Sequence, residues 1–196
     1  MIKRTWYTDP EEPNIEADLK YREAHRKTKR IARCQNIVHS FGNCTSILDV
    51  GCKSLGFLEL VGEPYTEKLQ IDYCLPHIVG SVPFQKLNLL DLYKDRRNCL
   101  AKYDVVVCLE VLEHVEPTGK QDFAMNLLKL AKKHLVISIP YNWKDTKEVH
   151  PHNGINESNL MEWFYPYEAD RMYGKEDGGH LIAVFNTDYI REGTTL

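Results

Sequence analysis

The stretch Ser46–Cys52, which reads SILDVGC, decides the fold of this chain. Its apolar run predicts a buried strand of a parallel sheet, because such strands are covered on both faces. The run contains Asp49 and breaks at Gly51, where the absence of a side chain permits a sharp exit from the strand. Ligands in open α/β sheets bind at the carboxyl ends of such strands. The stretch therefore predicts a parallel sheet and the edge at which a ligand binds.

Further strands follow along the chain. Apolar runs of suitable length predict six of them, at Lys68–Asp72, Phe84–Leu89, Tyr103–Leu109, Leu135–Ile139, Asp170–Tyr173 and Leu181–Phe185. The last two flank a turn with two glycines, which is typical of an antiparallel pair. Strands and helical patterns alternate through the middle of the chain. We therefore predict an α/β, Rossmann-like doubly wound sheet, mostly parallel with an antiparallel C-terminal edge strand, and with helices on both faces.

Helical patterns lie before and between these strands. Asn14 can cap a helix that runs to about Ser40, and a shorter helix is expected at 54–61. Thr118 and Gln121 have the spacing of a capping box, which would open the helix before the fifth strand. Another short helix is expected from about Asn159 to Phe164.

The N-terminal helix also carries a basic face. Its members are Arg22, Arg26, Lys29, Arg30 and Arg33. Such a face is either a solvated helix surface or a contact for phosphate or another anion. Because the whole chain is slightly acidic, with a net charge of -3, we expect the solvated surface.

Length and composition indicate a single soluble domain. The 196 residues, 43% hydrophobic and 27% charged, are ordinary for one globular unit, with a lead-in and helix at 1–44 and a sheet core at 45–196. The net charge gives no general attraction to nucleic acid or anionic membrane. No apolar run is long enough to span a bilayer, and the start is unlike a signal peptide. Six scattered cysteines without a C-x-x-C pair are typical of reduced thiols, so we expect a cytoplasmic protein.

Acidic residues follow the first three predicted strands. Asp72 ends the second strand, where a carboxylate can accept both hydroxyls of a ribose. Asp91 follows the third strand and is placed to meet an adenine amine. Gly51 lets backbone amides approach the ligand, and a nearby helix N-terminus favours a ligand carboxylate. Together with Asp49, these residues predict a nucleoside-containing ligand.

Two segments carry a family resemblance. Ile47–Cys52 resembles the first motif of class I S-adenosylmethionine-dependent methyltransferases, and Leu109–Val115 resembles the segment after their fourth strand. The resemblance covers about residues 45–140. It implies that the chain is a methyltransferase and that S-adenosylmethionine is its cofactor. The cofactor-binding residues that it implies are Asp49, Gly51, Cys52, Asp72, Leu90, Asp91 and Glu110.

One position departs from the family pattern. The family usually has Gly-x-Gly-x-Gly after the first strand, whereas here Lys53 takes the place of the second glycine and Gly56 comes late. This leaves the local shape of the turn and the contact made by Lys53 open. A nicotinamide-dependent oxidoreductase would need Gly-x-Gly-x-x-Gly, whose middle glycine is missing. A non-catalytic binding protein is a further alternative, which Lys53 favours and the intact strand-end acids oppose.

A divalent cation is a second interpretation of the segment after the fourth strand. Glu110, Glu113 and His114 would share one face of a helical turn and could hold Mg²⁺ or another cation with His152, or alternatively His150. The Glu-x-x-Glu-His pattern is similar to that of metal-assisted small-RNA 2′-O-methyltransferases and of ubiquinone-pathway O-methyltransferases. The alternative is that Glu113 and His114 cap and solvate a helix start.

Histidines provide the catalytic candidates. His150 and His152 lie in a polar loop after the fifth strand, where an acceptor is expected, and His114 lies after the fourth. A histidine there could take the proton of an acceptor hydroxyl, or could be an exposed loop residue. The other histidines are interpreted as structural: His25, His39, His77, His134 and His180.

These residues favour O-methylation. The acceptor would be a small molecule, a sugar or a nucleic-acid end, and a metal-assisted RNA methyltransferase remains the alternative. Three aromatic residues could wall its pocket or pack in the core: Tyr141, Trp143 and Trp163. A homodimer is compatible with the sequence, and the acceptor class stays open because fold alone does not decide it.

Overall fold

The computed structural model describes residues 15–53, 56–74, 80–92, 100–142, 154–174 and 179–188. These residues form a seven-stranded sheet in the order β3-β2-β1-β4-β5-β7-β6. The strands are β1 Ser46–Val50, β2 Glu67–Asp72, β3 Phe84–Lys86, β4 Tyr103–Leu109, β5 Ala131–Pro140, β6 Arg171–Tyr173 and β7 His180–Asn186. Strands β1 to β5 pair in parallel, whereas β7 is antiparallel to β5 and β6. The predicted fold class is confirmed.

The register of the sheet brings one end of every central strand together. Leu109 at the end of β4 is opposite Ser138 of β5, and Pro140 at the end of β5 is opposite His180. Because β7 runs antiparallel to β5, its first residue lies at the edge where the parallel strands end. His180 therefore shares the carboxyl edge with the ends of β1 and β4.

Helices cover both faces of the sheet. The α-helices are α1 Ile15–Arg26, α2 Lys29–His39, α3 Lys120–Leu130 and α4 Glu157–Phe164, and short 3₁₀ helices span Phe57–Glu59, Leu89–Asp91, Leu112–His114 and Pro117–Gly119. Alternate residues of β1 separate the two cores: Leu48 packs with residues of α3 and α4, and Ile47 packs with residues of α2. No helix of the described segments has the length and apolar character needed to cross a membrane.

The single N-terminal helix expected from the sequence is wrong, because the chain forms α1 and α2 with a break at 27–28. Thr28 has an extended backbone, and its side-chain oxygen accepts a hydrogen bond from the Ile31 amide at 3.3 Å. A threonine hydroxyl in this position satisfies an amide that has no partner within the helix, so it starts a new helix. The chain can therefore change direction between α1 and α2.

Three other boundaries differ from those expected. Thr118 belongs to a 3₁₀ helix, and α3 begins after Gly119 with no side-chain cap, so the predicted capping box is wrong. Strand β3 is shorter than predicted, because the Asn88 side chain accepts from the Leu90 amide and opens a 3₁₀ helix. Asn156 caps α4 with a capping box, three residues before the expected start.

Candidate functional site

Gly51 makes the turn that leaves β1. Its φ of +77° is a left-handed conformation that favours glycine, and its amide donates to the Ile71 carbonyl at 2.8 Å. A Cβ atom at this position would lie 2.3 Å from Cγ2 of Val111, the second residue after β4. The turn after β1 and the segment after β4 are thus in direct contact. The structure confirms that this position requires glycine.

Lys53 adopts the left-handed backbone conformation that a glycine would readily adopt in this turn. Its φ is +42°, and its amide donates to Oδ2 of Asp72 at 2.9 Å. The lysine ammonium lies 5.6 Å from the centre of the Tyr21 ring in α1. The departure from the family pattern is therefore accommodated by backbone conformation, and the turn is still connected to the end of β2.

Asp49 and Asp72 meet where β1 and β2 end. Asp49 is only 2% exposed, and its Oδ2 has no hydrogen-bond partner among the described residues. Burial, together with the negative charge of Asp72, raises the pKa of Asp49 to about 8. Cys52 is also buried, and burial with the charges of these two acids raises the pKa of its thiol. The two carboxyl groups form an acidic, largely dry corner beneath the turn.

The carboxylate of Asp72 is positioned by backbone amides. Oδ2 accepts from Lys53, and Oδ1 accepts from the Cys74 amide at 3.1 Å. Burial nevertheless raises the pKa of Asp72. Each carboxylate oxygen offers two lone pairs, so both oxygens keep acceptor capacity after these bonds. Asp72 is oriented by the chain and can still accept hydrogen bonds from a ligand.

Leu90 and Asp91 lie on a 3₁₀ helix. The sequence predicts instead that they follow the end of the third strand. The Asn88 side chain organises this helix: its oxygen accepts from the Leu90 amide, and its nitrogen donates to Oδ2 of Asp91 at 2.9 Å. Asp91 is exposed, and Leu90 is half-buried with its methyl groups directed toward Gly119. The contact of Asp91 with an adenine stays a prediction.

Glu110 is the most heavily engaged acid at this edge. Its Oε1 accepts from the Ser138 hydroxyl at 3.0 Å and lies 3.3 Å from Nη1 of Arg30. Its Oε2 lies 3.2 Å from Nδ1 of His180. Burial acts to raise the pKa of Glu110, but His180 and the Arg30 guanidinium outweigh it and lower the pKa. Glu110 is thus an ionised carboxylate, directly beside Val111 and the Gly51 turn.

Most partners of Glu110 were not expected from the sequence. Arg30 is 4% exposed, so its expected solvation is wrong. It lies four residues before buried Cys34, on the same side of α2, and this spacing was the signal that could have revealed it. Ser138, a polar residue inside an apolar strand, was a second signal. His180 was interpreted as structural, although the structure places it at the site edge.

The basic face of α1 is also not a free solvated surface. Arg22 is 8% exposed and pairs with Oε2 of Glu59, and Arg26 lies 2.7 Å from the same oxygen. Arg26 also donates to the Gly56 carbonyl at 3.0 Å, and a Cβ on Gly56 would lie 2.6 Å from both guanidinium groups. These contacts hold α1 against the turn after β1. Of the other basic residues, Lys29 is exposed, as expected.

Glu110, Glu113 and His114 do not share a helical face. Glu110 has a φ of +58° and precedes the 3₁₀ helix that holds the other two. The Glu113 side chain is 2% exposed and that of His114 is 44% exposed, with Nε2 of His114 3.9 Å from Oε1 of Glu113. Burial, with the charge of Glu110, raises the pKa of Glu113 well above its usual value. The expected common face is wrong.

The described part of the chain contains no group of three His, Cys, Asp or Glu side chains that could hold a metal ion. Glu110 is bound by Arg30, Ser138 and His180, so we do not assign it as a metal ligand. His150 and His152 lie outside the described residues, as does Trp143. Their roles, like that of His114 in catalysis, stay predictions.

Lys120 is a further buried charged residue that the sequence did not indicate. It is 1% exposed, and its ammonium donates to the Leu112 carbonyl at 2.6 Å and lies 3.9 Å from the centre of the Trp163 ring. Burial lowers the pKa of Lys120 to about 7. Trp163 therefore packs against a buried lysine that joins α3, α4 and the segment after β4. Tyr141 is half-buried at the end of β5.

Comparison with known proteins supports the fold. No protein-family model matches the sequence, and a search of curated proteins finds no match. Among solved structures, the N-methyltransferase NodS from Bradyrhizobium japonicum in complex with S-adenosylhomocysteine has a TM-score of 0.62, with 18% identity over 81% of this chain and 85% of that chain. A Burkholderia thailandensis 1,6-didemethyltoxoflavin-N1-methyltransferase has a TM-score of 0.63, with 13% identity over 88% and 84% of the two chains.

A third similar structure is the methyltransferase domain of bacterial CtHen1. Its TM-score is 0.62, with 18% identity over 81% of this chain and 97% of that chain. At such identities the likeness concerns the fold. The chain has the fold of class I S-adenosylmethionine-dependent methyltransferases, as the resemblance of its motifs implied.

Proposed function

We propose that this protein binds S-adenosylmethionine at the carboxyl edge of β1, β2 and β4 and transfers its methyl group to a hydroxyl of an acceptor. The observation that carries this proposal is the corner formed by Gly51, Asp49 and Asp72. There the Gly51 turn packs directly against Val111, one buried carboxyl oxygen has no partner among the described residues, and a second carboxylate is held by backbone amides. Proteins of the same fold bind S-adenosylhomocysteine in their crystal structures.

The residues of this corner fit the proposed cofactor. Asp72 is held with acceptor capacity free, as binding of ribose hydroxyls requires. Glu110 supplies negative charge beside the Gly51 turn, and Asp49 is a buried carboxyl group that a nearby cation would ionise, which suits a ligand that carries ammonium and sulfonium groups. When bound, S-adenosylmethionine supplies an electrophilic methyl group.

The contribution of the protein is then mainly orientation. Holding acceptor and methyl group in line can lower the barrier by up to about 7–11 kcal/mol in favourable cases. Asp72 would fix the ribose, and the close contact of Gly51 with Val111 fixes the distance between the turn and Glu110. A hydroxyl acceptor also needs a group that removes its proton, which is why the histidines near this edge favour O-methylation.

A methyl-transfer assay tests the proposal. The purified protein would be incubated with S-adenosylmethionine labelled in its methyl group. The hydroxyl acceptors would be catechol, hexose sugars and an RNA oligonucleotide, and each would be compared with an amine of the same kind of molecule. We expect label in a hydroxyl acceptor, loss of transfer in Asp72→Asn, and normal transfer in the control Asp122→Asn, an exposed residue of α3. Label in amines alone would contradict O-methylation. Binding of the cofactor without transfer to any acceptor would favour the non-catalytic alternative.

A further inference from the structure

His180 and Glu110 form a histidine–carboxylate pair at the carboxyl edge of the sheet. Glu110 directly follows β4, and His180 begins β7 opposite Pro140, the last residue of β5. Nδ1 of the imidazole lies 3.2 Å from Oε2 of the carboxylate. The two residues are distant in sequence and meet only because β7 returns antiparallel to β5. The neighbouring Val111 contacts the Gly51 turn, so the pair lies next to the proposed cofactor site.

Glu110 is fixed from several directions. Ser138 donates to Oε1, and Arg30 reaches the same oxygen from α2. The Glu110 amide donates to the Ser138 carbonyl at 2.9 Å. Its left-handed backbone costs a residue with a side chain roughly 1–2 kcal/mol, so the surrounding contacts must enforce this conformation. The carboxylate is therefore held in one orientation, with Oε2 directed at His180.

The imidazole of His180 is partly exposed. Nδ1 is buried and faces Glu110, whereas 30% of the side chain is exposed. Nδ1 lies within ion-pair distance of the Glu110 carboxylate, although the contact lacks hydrogen-bond geometry. A carboxylate this close favours the tautomer with its proton on Nδ1, which leaves the lone pair on Nε2. Glu110 and, behind it, Arg30 are charged groups at this ring.

We propose that His180 is the catalytic residue that accepts the proton of the acceptor hydroxyl, and that Glu110 is its positioning residue. This inference rests on the methyl transfer proposed above and assigns its proton acceptor. It differs from the candidates that the sequence indicated, because His180 was expected to be structural and its pairing with Glu110 becomes visible only in the folded sheet.

The proposed step is balanced in atoms and electrons. The O–H bond of the acceptor breaks and its proton passes to Nε2 of His180. The oxygen uses an electron pair to form the new bond to the methyl carbon, and the electron pair of the methyl–sulfur bond stays on sulfur. The products are a methyl ether, S-adenosylhomocysteine and a protonated His180, which releases its proton to water. Glu110 stabilises the positive charge that the imidazole gains in this step.

Nuclear magnetic resonance of the imidazole nitrogens tests the pair without any need for turnover. In protein with ¹⁵N-labelled histidine, we expect neutral His180 to carry its proton on Nδ1. In Glu110→Gln, the loss of the carboxylate should mix the two tautomers. The same single tautomer in both proteins would overturn the positioning role of Glu110.

Kinetics tests the catalytic role. For His180→Gln we expect unchanged calorimetric affinity for S-adenosylhomocysteine, at least about a 100-fold loss of kcat with the hydroxyl acceptor identified in the assay above, and loss of the low-pH limb of the rate profile. The control His39→Gln, an exposed residue of α2, should keep wild-type rates. Turnover within about threefold of wild type in His180→Gln would overturn the assignment. A wild-type protein that does not bind the cofactor would instead overturn the proposed function itself.

Discussion

Lys53, Glu110 and Asn142 follow β1, β4 and β5 within three residues, and their φ angles are +42°, +58° and +51°. Left-handed backbone is unfavourable for residues with a side chain, and such strain persists where the surroundings enforce it. All three residues lie at the edge that holds Asp49, Asp72 and His180. The strain at this edge is consistent with a site whose geometry is maintained at a cost in stability.

Lys53→Gly should relieve part of this strain. Glycine has no Cβ to oppose a positive φ, so we expect the free energy of unfolding to rise by up to about 1 kcal/mol and cofactor binding to persist. The matched control Lys53→Ala removes the ammonium but keeps the strain. Urea unfolding and calorimetric titration measure the two effects. Loss of binding in both variants would show that the lysine side chain, and not the backbone conformation, is what the site needs.

Asp49 should couple cofactor binding to pH. Burial raises its pKa to about 8 in the free protein, above the ordinary value of 3.8. Because the folded protein binds this proton more tightly than the unfolded chain, its free energy of unfolding should fall as pH rises from about 4 to 8. The positive groups of S-adenosylmethionine favour the ionised carboxylate, so binding at pH 7 should release close to one proton.

Calorimetric titration in buffers of different ionisation enthalpy measures the number of protons released on binding. In Asp49→Asn we expect less proton release, weaker cofactor binding, and a free protein whose stability declines less over this pH range, since Asp72 and Glu113 also have raised pKa values. An unchanged proton release in Asp49→Asn would assign the linkage to another group.

At the scale of single residues, local pattern predicted only part of the site. Asp49, Gly51, Asp72 and Glu110 end strands or follow them, so hydrophobic runs locate them. Arg30 contacts Ser138, which is 108 positions away, and such a contact depends on the docking of α2 on the sheet. His180 reaches Glu110 only through the antiparallel register of β7. Periodicity does not encode either of these.

At the scale of elements, α1 and α2 are connected to the site through two acids. Glu59 holds Arg22 and Arg26 of α1, and Glu110 holds Arg30 of α2. Thr28 separates the helices, which allows each to approach a different part of the carboxyl edge. The N-terminal helices therefore position the turn after β1 as well as covering the sheet.

Glu59→Gln should loosen α1. Without the carboxylate, the two guanidinium groups repel each other and lose a strong acceptor, so amide exchange in α1 should quicken while β1 and β4 stay protected. Hydrogen exchange measured by mass spectrometry reads both regions. The control Glu16→Gln removes an ion pair whose carboxylate side chain is 79% exposed, and it should have little effect. Unchanged exchange in α1 of Glu59→Gln would mean that other contacts hold the helix.

The ion pairs of Glu59 with Arg22 and Arg26 also predict that the packing of α1 is sensitive to acid. Burial acts to raise the pKa of Glu59, but hydrogen bonds from Arg26 and Arg22 outweigh it and lower the pKa. A carboxylate with a lowered folded pKa contributes stability above its unfolded value, and this is lost as pH falls through the folded value. Protection of α1 should therefore decrease below about pH 4.5 in the wild type. In Glu59→Gln it should show no such decrease.

Element types were easier to predict than element ends. Strand β4 has the bounds that its apolar run indicated, because burial on both faces leaves a clear signal. The predicted cap at Thr118 is wrong because Pro117 begins a 3₁₀ helix, and Thr118 lies within that helix. Local hydrogen bonds by Asn88 and Thr28 ended or restarted elements elsewhere. Each of these bonds competes with a regular structure that propensity also supports.

At the scale of the whole molecule, the sheet order explains why the site is at one edge. Strand β1 is central, so its turn lies between the ends of β2 and β4. Strand β7 lies between β5 and β6 and brings His180 to the same edge. The alternation of strands and helices predicted this architecture, and the similar solved structures share it. The buried arginine–carboxylate network could not be predicted, since it forms only after these elements pack.

Calorimetric titration of the wild-type protein with S-adenosylmethionine, alongside Asp72→Asn and the control Asp122→Asn, addresses the proposed site as a whole. We expect one micromolar site per chain in the wild type and in Asp122→Asn. In Asp72→Asn the affinity should fall by about tenfold or more, equivalent to at least about 1.4 kcal/mol, because a charged acceptor of the ribose hydroxyls is lost. Absence of binding by the wild type, or equal affinity in Asp72→Asn, would contradict a cofactor site at this edge of the sheet.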